Sequence, residues 1–136
     1  MIKKMVCSLM VVAAMLSFGC SGRNADFGVV DMKRVETEAV SVKNTKETLD
    51  KQLKELKEQL DKELAGKSGA EADKLVEDYS AKAKLVQSEA QNKLKASLET
   101  ALHQVAREKS LGAILVKEAV PEGGKDVTQE IIDKMK

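Results

Sequence analysis

Aromatic residues make up only 2% of the 136-residue chain, with no tryptophan, one tyrosine and two phenylalanines. Phe, Tyr and Trp usually supply the largest burial per residue, so their scarcity argues against a thick globular core. A single proline stands against abundant Ala, Leu, Lys and Glu. That balance favours long helices. It all but excludes a β-sandwich, a β-barrel, a collagen-like repeat or a proline-rich chain. Histidine occurs once, as His103, and cysteine twice, as Cys7 and Cys20. No HExxH, GxSxG or phosphate-cradling GxxxxGKS/T spacing is present. Gly66-Lys67-Ser68 has the wrong residues before it and reads as a turn. An enzyme is therefore not expected, and neither is a cofactor or a metal.

The start of the chain has the pattern of a targeting segment. Lys3 and Lys4 precede a run from Met5 to Phe18 that is almost wholly apolar or small, followed by Gly19 and Cys20. The run is short for a membrane span and reads as a secretory signal over residues 1–19. Gly19-Cys20-Ser21-Gly22 resembles the lipobox of bacterial lipoproteins, which makes Cys20 the candidate lipidation site. Ordinary signal cleavage near Cys20 or Asn24, giving a free periplasmic chain, is the alternative. Cys7 lies inside the leader, so the mature chain holds at most one cysteine and no internal disulfide. Of the 23 basic residues, Lys3 and Lys4 also leave, which sets 21 against 22 acidic ones. Bulk charge thus gives no reason to expect nucleic acid as a partner.

Past a tether over residues 20–26, Phe27 to Val30 is a brief apolar run that reads as a strand. Met32, Val35, Ala39, Val42, Lys46, Leu49, Leu53, Leu56 and Leu60 then follow steps of three and four, a heptad stripe with one break at Lys46. Glu47–Lys51, Asp50–Lys54 and Glu58–Lys62 are acid-before-base pairs in the favourable helical order. Gly66 and Gly69 flank a turn near residues 65–70, with Ser68 and Glu71 spaced as a capping box. From about Glu71 to about Lys109 a second stripe runs Leu75, Tyr79, Ala83, Val86, Ala90, Leu94, Ser97, Ala101 and Val105. Its steps of 4, 4 and 3 make an 11-residue repeat.

Helices of these lengths would span about 51 and about 58 Å at 1.5 Å per residue, beyond the reach of a compact domain this size. The expected fold is therefore mostly α with a small β body, a long antiparallel helical hairpin projecting from a short-stranded base. The arm comprises residues 32–109. The body comprises 27–31 and 110–136, with Ala113 to Val116 as a strand beside Phe27–Val30. Pro121 to Gly124 forms a loop, and a final helix runs through Lys136 with Asp126 or Thr128 as its cap.

The run Phe27-Gly28-Val29-Val30-Asp31-Met32-Lys33-Arg34-Val35, the segment from Val105 to Val116 and Asp126-Val127-Thr128-Gln129-Glu130-Ile131-Ile132 occur in the order seen in the Skp, or OmpH-like, family of periplasmic chaperones. The chain resembles that family over residues 27–136. The resemblance implies a homotrimer with helical arms around a cavity. It implies ATP-independent holding of unfolded outer-membrane proteins in the periplasm of a Gram-negative bacterium. Three features depart from the family pattern: a shorter arm, a reduced strand region at Lys117–Lys125, and the near-neutral charge.

Candidate client-binding residues are the basic group Lys82, Lys84, Lys93 and Lys95 and the leucines outside the main stripe, Leu85, Leu98 and Leu102. Plain solubility for the lysines and a wider seam for the leucines are the alternatives. The hairpin seam is assigned to Leu49, Leu53, Leu56, Leu60, Leu75, Tyr79, Val86, Leu94 and Val105. The competing functional reading is a lipid-anchored coiled-coil spacer or adaptor of the envelope, attached to a membrane through Cys20.

Overall fold

The computed structural model describes residues 26–136. The expected leader, the lipidation candidate Cys20 and the tether up to Ala25 lie outside the described residues. The chain is mostly helical around a small parallel sheet. Strand β1 is Phe27–Val30, and β2, Ala113–Val116, pairs with it in parallel register, Phe27 opposite Ala113 and Val30 opposite Val116. A two-residue strand β3, Lys125–Asp126, lies on the other side of β1, giving the order β2-β1-β3. Glycine at position 28 is required by packing, because a Cβ there would stand 2.9 Å from Leu111 and 3.1 Å from Val127. Gly124 turns with φ +84 in the loop before β3, where a Cβ would strike Phe27 and Val29.

Helix α1 is Met32–Glu38. The Asp31 carboxylate caps it, accepting from the backbone N–H of Lys33 at 3.0 Å and Arg34 at 3.2 Å. The sequence stripe predicts one helix continuing from here, but the chain breaks. Ala39 is fully buried and extended, with φ −63 and ψ 131, and α2 begins afresh as Val40–Leu64. One cause is visible: the Ser41 N–H finds a tertiary acceptor, the Met135 carbonyl at 3.0 Å, so the new helix start is satisfied from outside. Just beyond, Thr45 is buried and Lys46 exposed, so the apolar stripe is bridged at its break by the neighbouring residue.

Gly66, φ +83, ends α2 as its sequence position suggests. Helix α3, Ala70–Glu108, does not begin with the expected capping box. Gly69 is its N-cap with φ 62, no side chain caps it, and Ser68 falls one residue too early. Glu71 and Asp73 in its first turn complement the positive end of the helix dipole instead. At 39 residues α3 is about 58 Å long, and α2, at 25, about 38 Å. At its far end Ser110 takes the left-handed conformation, φ 55, and the Leu111 N–H closes on the Ala106 carbonyl at 2.8 Å. Gly112, the glycine nearby, is not the residue that turns.

A 3₁₀ turn, Lys117–Ala119, and helix α4, Thr128–Lys134, complete the chain. Lys125–Asp126, expected as part of a loop and helix cap, is the third strand. The α4 N-cap is Val127 rather than Asp126 or Thr128. The core gathers Val30, Val35, Ala39, Val42, Ala101, Val105, Val127, Ile131, Ile132 and Met135. It therefore includes the ends of α2 and α3 that adjoin the sheet. Helices α2 and α3 also pack on each other beyond that core. The expected surface pairs Glu47–Lys51, Asp50–Lys54 and Glu58–Lys62 do not close within 4 Å. Among the described residues the ion pairs are Arg34–Glu38, Lys95–Glu99, Lys109–Glu130, Lys117–Asp126 and Lys134–Glu108. Exposed pairs gain little from contact, which leaves long side chains free to extend into water.

Candidate functional site: the apolar hollow between two helices

Every residue of the α3 stripe faces inward to some degree. Tyr79, Ala101 and Val105 are buried, and Leu75, Ala83, Val86, Ala90, Leu94 and Ser97 are half-buried. On α2 the stripe leucines Leu49, Leu53, Leu56 and Leu60 are all half-buried. The two stripes are only partly covered where the helices meet, as the half-burial of these four leucines and of most α3 stripe residues shows. The uncovered part forms a hollow of about 250 Å³ lined by Leu53, Leu56 and Leu60 of α2 and Val76, Tyr79, Ser80 and Ala83 of α3, with Lys57 among the lining residues. Small side chains at 80 and 83 face three leucines, and that size difference opens the space. Val76 remains 48% exposed beside it. A second, more polar hollow of about 160 Å³ lies nearer the sheet, between Thr45, Thr48, Leu49 and Gln52 and Val86, Glu89, Ala90 and Lys93.

Tyr79 holds the outer hollow together. Its ring is 5% exposed, and its hydroxyl donates to Glu63 Oε1 at 2.8 Å. Donating this hydrogen bond to the carboxylate holds the Tyr79 phenol above its ordinary range. The Lys82 ammonium sits over the ring, 4.5 Å from its centre. Val76, Ser80, Lys57 and Glu63 were not singled out by sequence reasoning. The signal for Glu63 was present: it stands seven residues after Leu56, at the next position of the heptad stripe, and faces the only tyrosine.

The candidate client-binding residues do not form one surface. Lys82, Lys84, Lys93 and Lys95 are all exposed. Lys82 and Lys93 are eleven residues apart and lie in line along α3, as do Lys84 and Lys95. The two lines differ by two residues, about 200° around the helix, so they point to opposite sides. Lys93 borders the polar hollow, and Lys95 reaches Glu99 at 3.9 Å. Leu98 and Leu102 are half-buried against the core, which widens the seam near the sheet. Leu85, 60% exposed, stands alone away from the stripe. His103 is exposed on the outer side of α3 with Thr100, Gln104 and Arg107.

At the base a hydrogen-bond relay joins three segments. The Asp31 N–H donates to Thr128 Oγ1 at 2.9 Å, and that hydroxyl donates to Asp126 Oδ1 at 2.6 Å. Asp126 Oδ1 also accepts from the Thr128 N–H at 3.0 Å. These donations from Thr128 hold the Asp126 carboxyl below its ordinary range. Among the described residues no group of three or more His, Cys, Asp or Glu is placed to hold a metal ion. Among the same residues no helix is long and apolar enough to cross a membrane. No family model and no curated protein matches the chain.

Proposed function

We infer that the chain is an ATP-independent holdase of the periplasm that keeps unfolded outer-membrane proteins from aggregating. In this reading α2 and α3 form an antiparallel hairpin arm projecting from the sheet. The partners across the two hollows support that direction: Leu60 shares one with Val76, and Thr45 the other with Ala90. The observation that carries the function is the incompletely covered seam. A two-helix arm with a half-open apolar line offers many shallow contacts and no deep pocket, and shallow contacts summed along an arm hold a chain without selecting its sequence. The Skp-like resemblance is supported by where its residues meet: Asp31, Asp126 and Thr128, from the first and last matched segments, share the relay at the base.

Enclosure of a client needs more than one arm, so the reading includes a homo-oligomer, a trimer on the family pattern. The outer edge of the sheet supports it. Strand β2 lies at that edge, with Leu115 44% and Val116 43% exposed and no charge or proline to blunt pairing. The test joins light scattering to an aggregation assay. The purified chain should scatter as an oligomer and, at several-fold molar excess, suppress aggregation of an unfolded β-barrel protein. A monomer that leaves aggregation unchanged would overturn the reading in favour of the anchored spacer. Lipid attachment at Cys20 belongs to either reading and is tested by membrane release of Cys20→Ala.

A further inference from the structure

The hollows fix which levels of α2 and α3 stand side by side. Lys57 and Leu60 share the outer one with Val76 and Ser80, and Thr45 shares the inner one with Ala90. Charge is spread unevenly over those levels. Residues 58–80, the outer part of the pair, carry seven acidic side chains against three lysines, a formal −4. The levels behind them, residues 41–57 and 81–97, carry nine lysines against four acidic side chains, a formal +5. All of these charged residues are exposed. Few are paired within the chain: among the described residues Lys95–Glu99, at 3.9 Å, is the one ion pair that draws on either band. The band centres lie about 14 residues apart, or about 21 Å, against a screening length of about 8 Å at physiological salt. A neighbouring molecule therefore meets two separate fields of opposite sign.

We propose that a second copy of this chain docks antiparallel on the pair, the acidic band of each copy against the basic band of the other. A partner of one sign would satisfy one band and be repelled by the other, whereas a second copy carries both bands at the matching separation. Side by side in parallel, two copies would set acid against acid and lysine against lysine, which is unfavourable. Antiparallel, one two-fold axis pairs both bands at once and the contact closes on itself. The docking rests on the hairpin direction given above and not on the holding function. Copies joined at the sheet edge and pointing the same way would offer this contact to a copy facing them.

The test is carbodiimide cross-linking, which joins a carboxylate to a neighbouring lysine, on an equal mixture of unlabelled and isotope-labelled chains. Mixed-label links should join Glu71, Asp73 or Glu77 of one copy to Lys84 or Lys93 of another. They should fall roughly tenfold or more when salt shortens the screening length to about 3 Å. Mixed-label links from those acids to Lys67 or Lys74, within their own band, or links that survive the salt, overturn the docking. Links within one copy from Glu58 to Lys82 report the hairpin itself. Their absence overturns hairpin and docking together, and their presence without mixed-label links overturns the docking alone. Lys84→Glu, Lys93→Glu and Lys95→Glu together take the basic band from +5 to −1, and Asp61→Lys, Glu77→Lys and Asp78→Lys together take the acidic band from −4 to +2. All six positions are exposed, so both variants should keep the wild-type helical content. Each variant alone should lose the mixed-label links by roughly tenfold, and the two variants mixed should regain them, from Glu71 or Asp73 of the first to Lys84 or Lys93 of the second. No recovery in the mixture overturns the docking.

Discussion

Thr128 is fully buried, and its hydroxyl both accepts from Asp31 and donates to Asp126. Thr128→Val keeps the shape and leaves the Asp31 N–H without a partner, which should cost about 1–3 kcal/mol in denaturant unfolding at neutral pH. Thr128→Ser, which keeps the hydroxyl, should cost less. The pH dependence has a definite sign. The folded state lowers the Asp126 pKa, so the contribution is present above the ordinary aspartate range and is lost as pH falls through the lowered value. The gap between the wild type and Thr128→Val should therefore narrow on acidification; a gap that widens would mean Asp126 does not hold the hydroxyl. Thr128 was legible as a helix-start residue, yet its role was not. One of its partners, Asp31, lies 97 residues away in the chain, and propensity speaks only of neighbours.

Among the elements, the α3 stripe was fully legible: every position of the 11-residue pattern is buried or half-buried, because one long helix with a single sticky side must turn it toward its neighbour. The break at Ala39 was not legible. The stripe runs through it unbroken, and the carbonyl that makes it possible comes from Met135. The third strand was hidden for a related reason, since two residues show no alternation. The hollow was partly legible: Leu53, Leu56, Leu60, Tyr79 and Ala83 were named as stripe residues, but Lys57, Val76 and Ser80, which fall outside the stripes, were not. Leu53 is half-buried in the seam and Lys54 exposed. Leu53→Asp should cost about 2 kcal/mol or more by placing a charge against leucines, with a visible loss of helical circular dichroism, and Lys54→Asp should change little. Equal losses would mean the seam is misassigned.

The described chain is a small parallel sheet and core with two long helices, and its large exposed apolar side chains stand on both, Leu115 and Val116 on β2 and Val40, Val76 and Leu85 on the helices. These surfaces have separable tests. Leu115→Lys puts a charge on the open strand, the device by which natural sheets avoid edge pairing. On the proposed oligomer it should lower the scattering mass toward a monomer while leaving helical content intact. An unchanged mass would move the oligomer contact elsewhere. The fold class, mostly helical with a short-stranded sheet, followed from composition and helix length, because neither depends on distant partners. Which surface meets which molecule depends on chains other than this one, and a single sequence carries no imprint of them.

Strand β1 stands near the start of the described chain, and both strands that flank it come after the long helices. During synthesis, or while the chain is threaded through a narrow channel, β1 emerges early and waits with both edges unsatisfied. Zipping of α2 with α3 shortens that wait, because it draws the far segments back beside the first and turns a large loop closure into a small one. On the hairpin proposed above, helix pairing is expected to precede closure of the sheet. A chain stopped before Lys125 would lack the third strand and leave one edge of β1 unpaired.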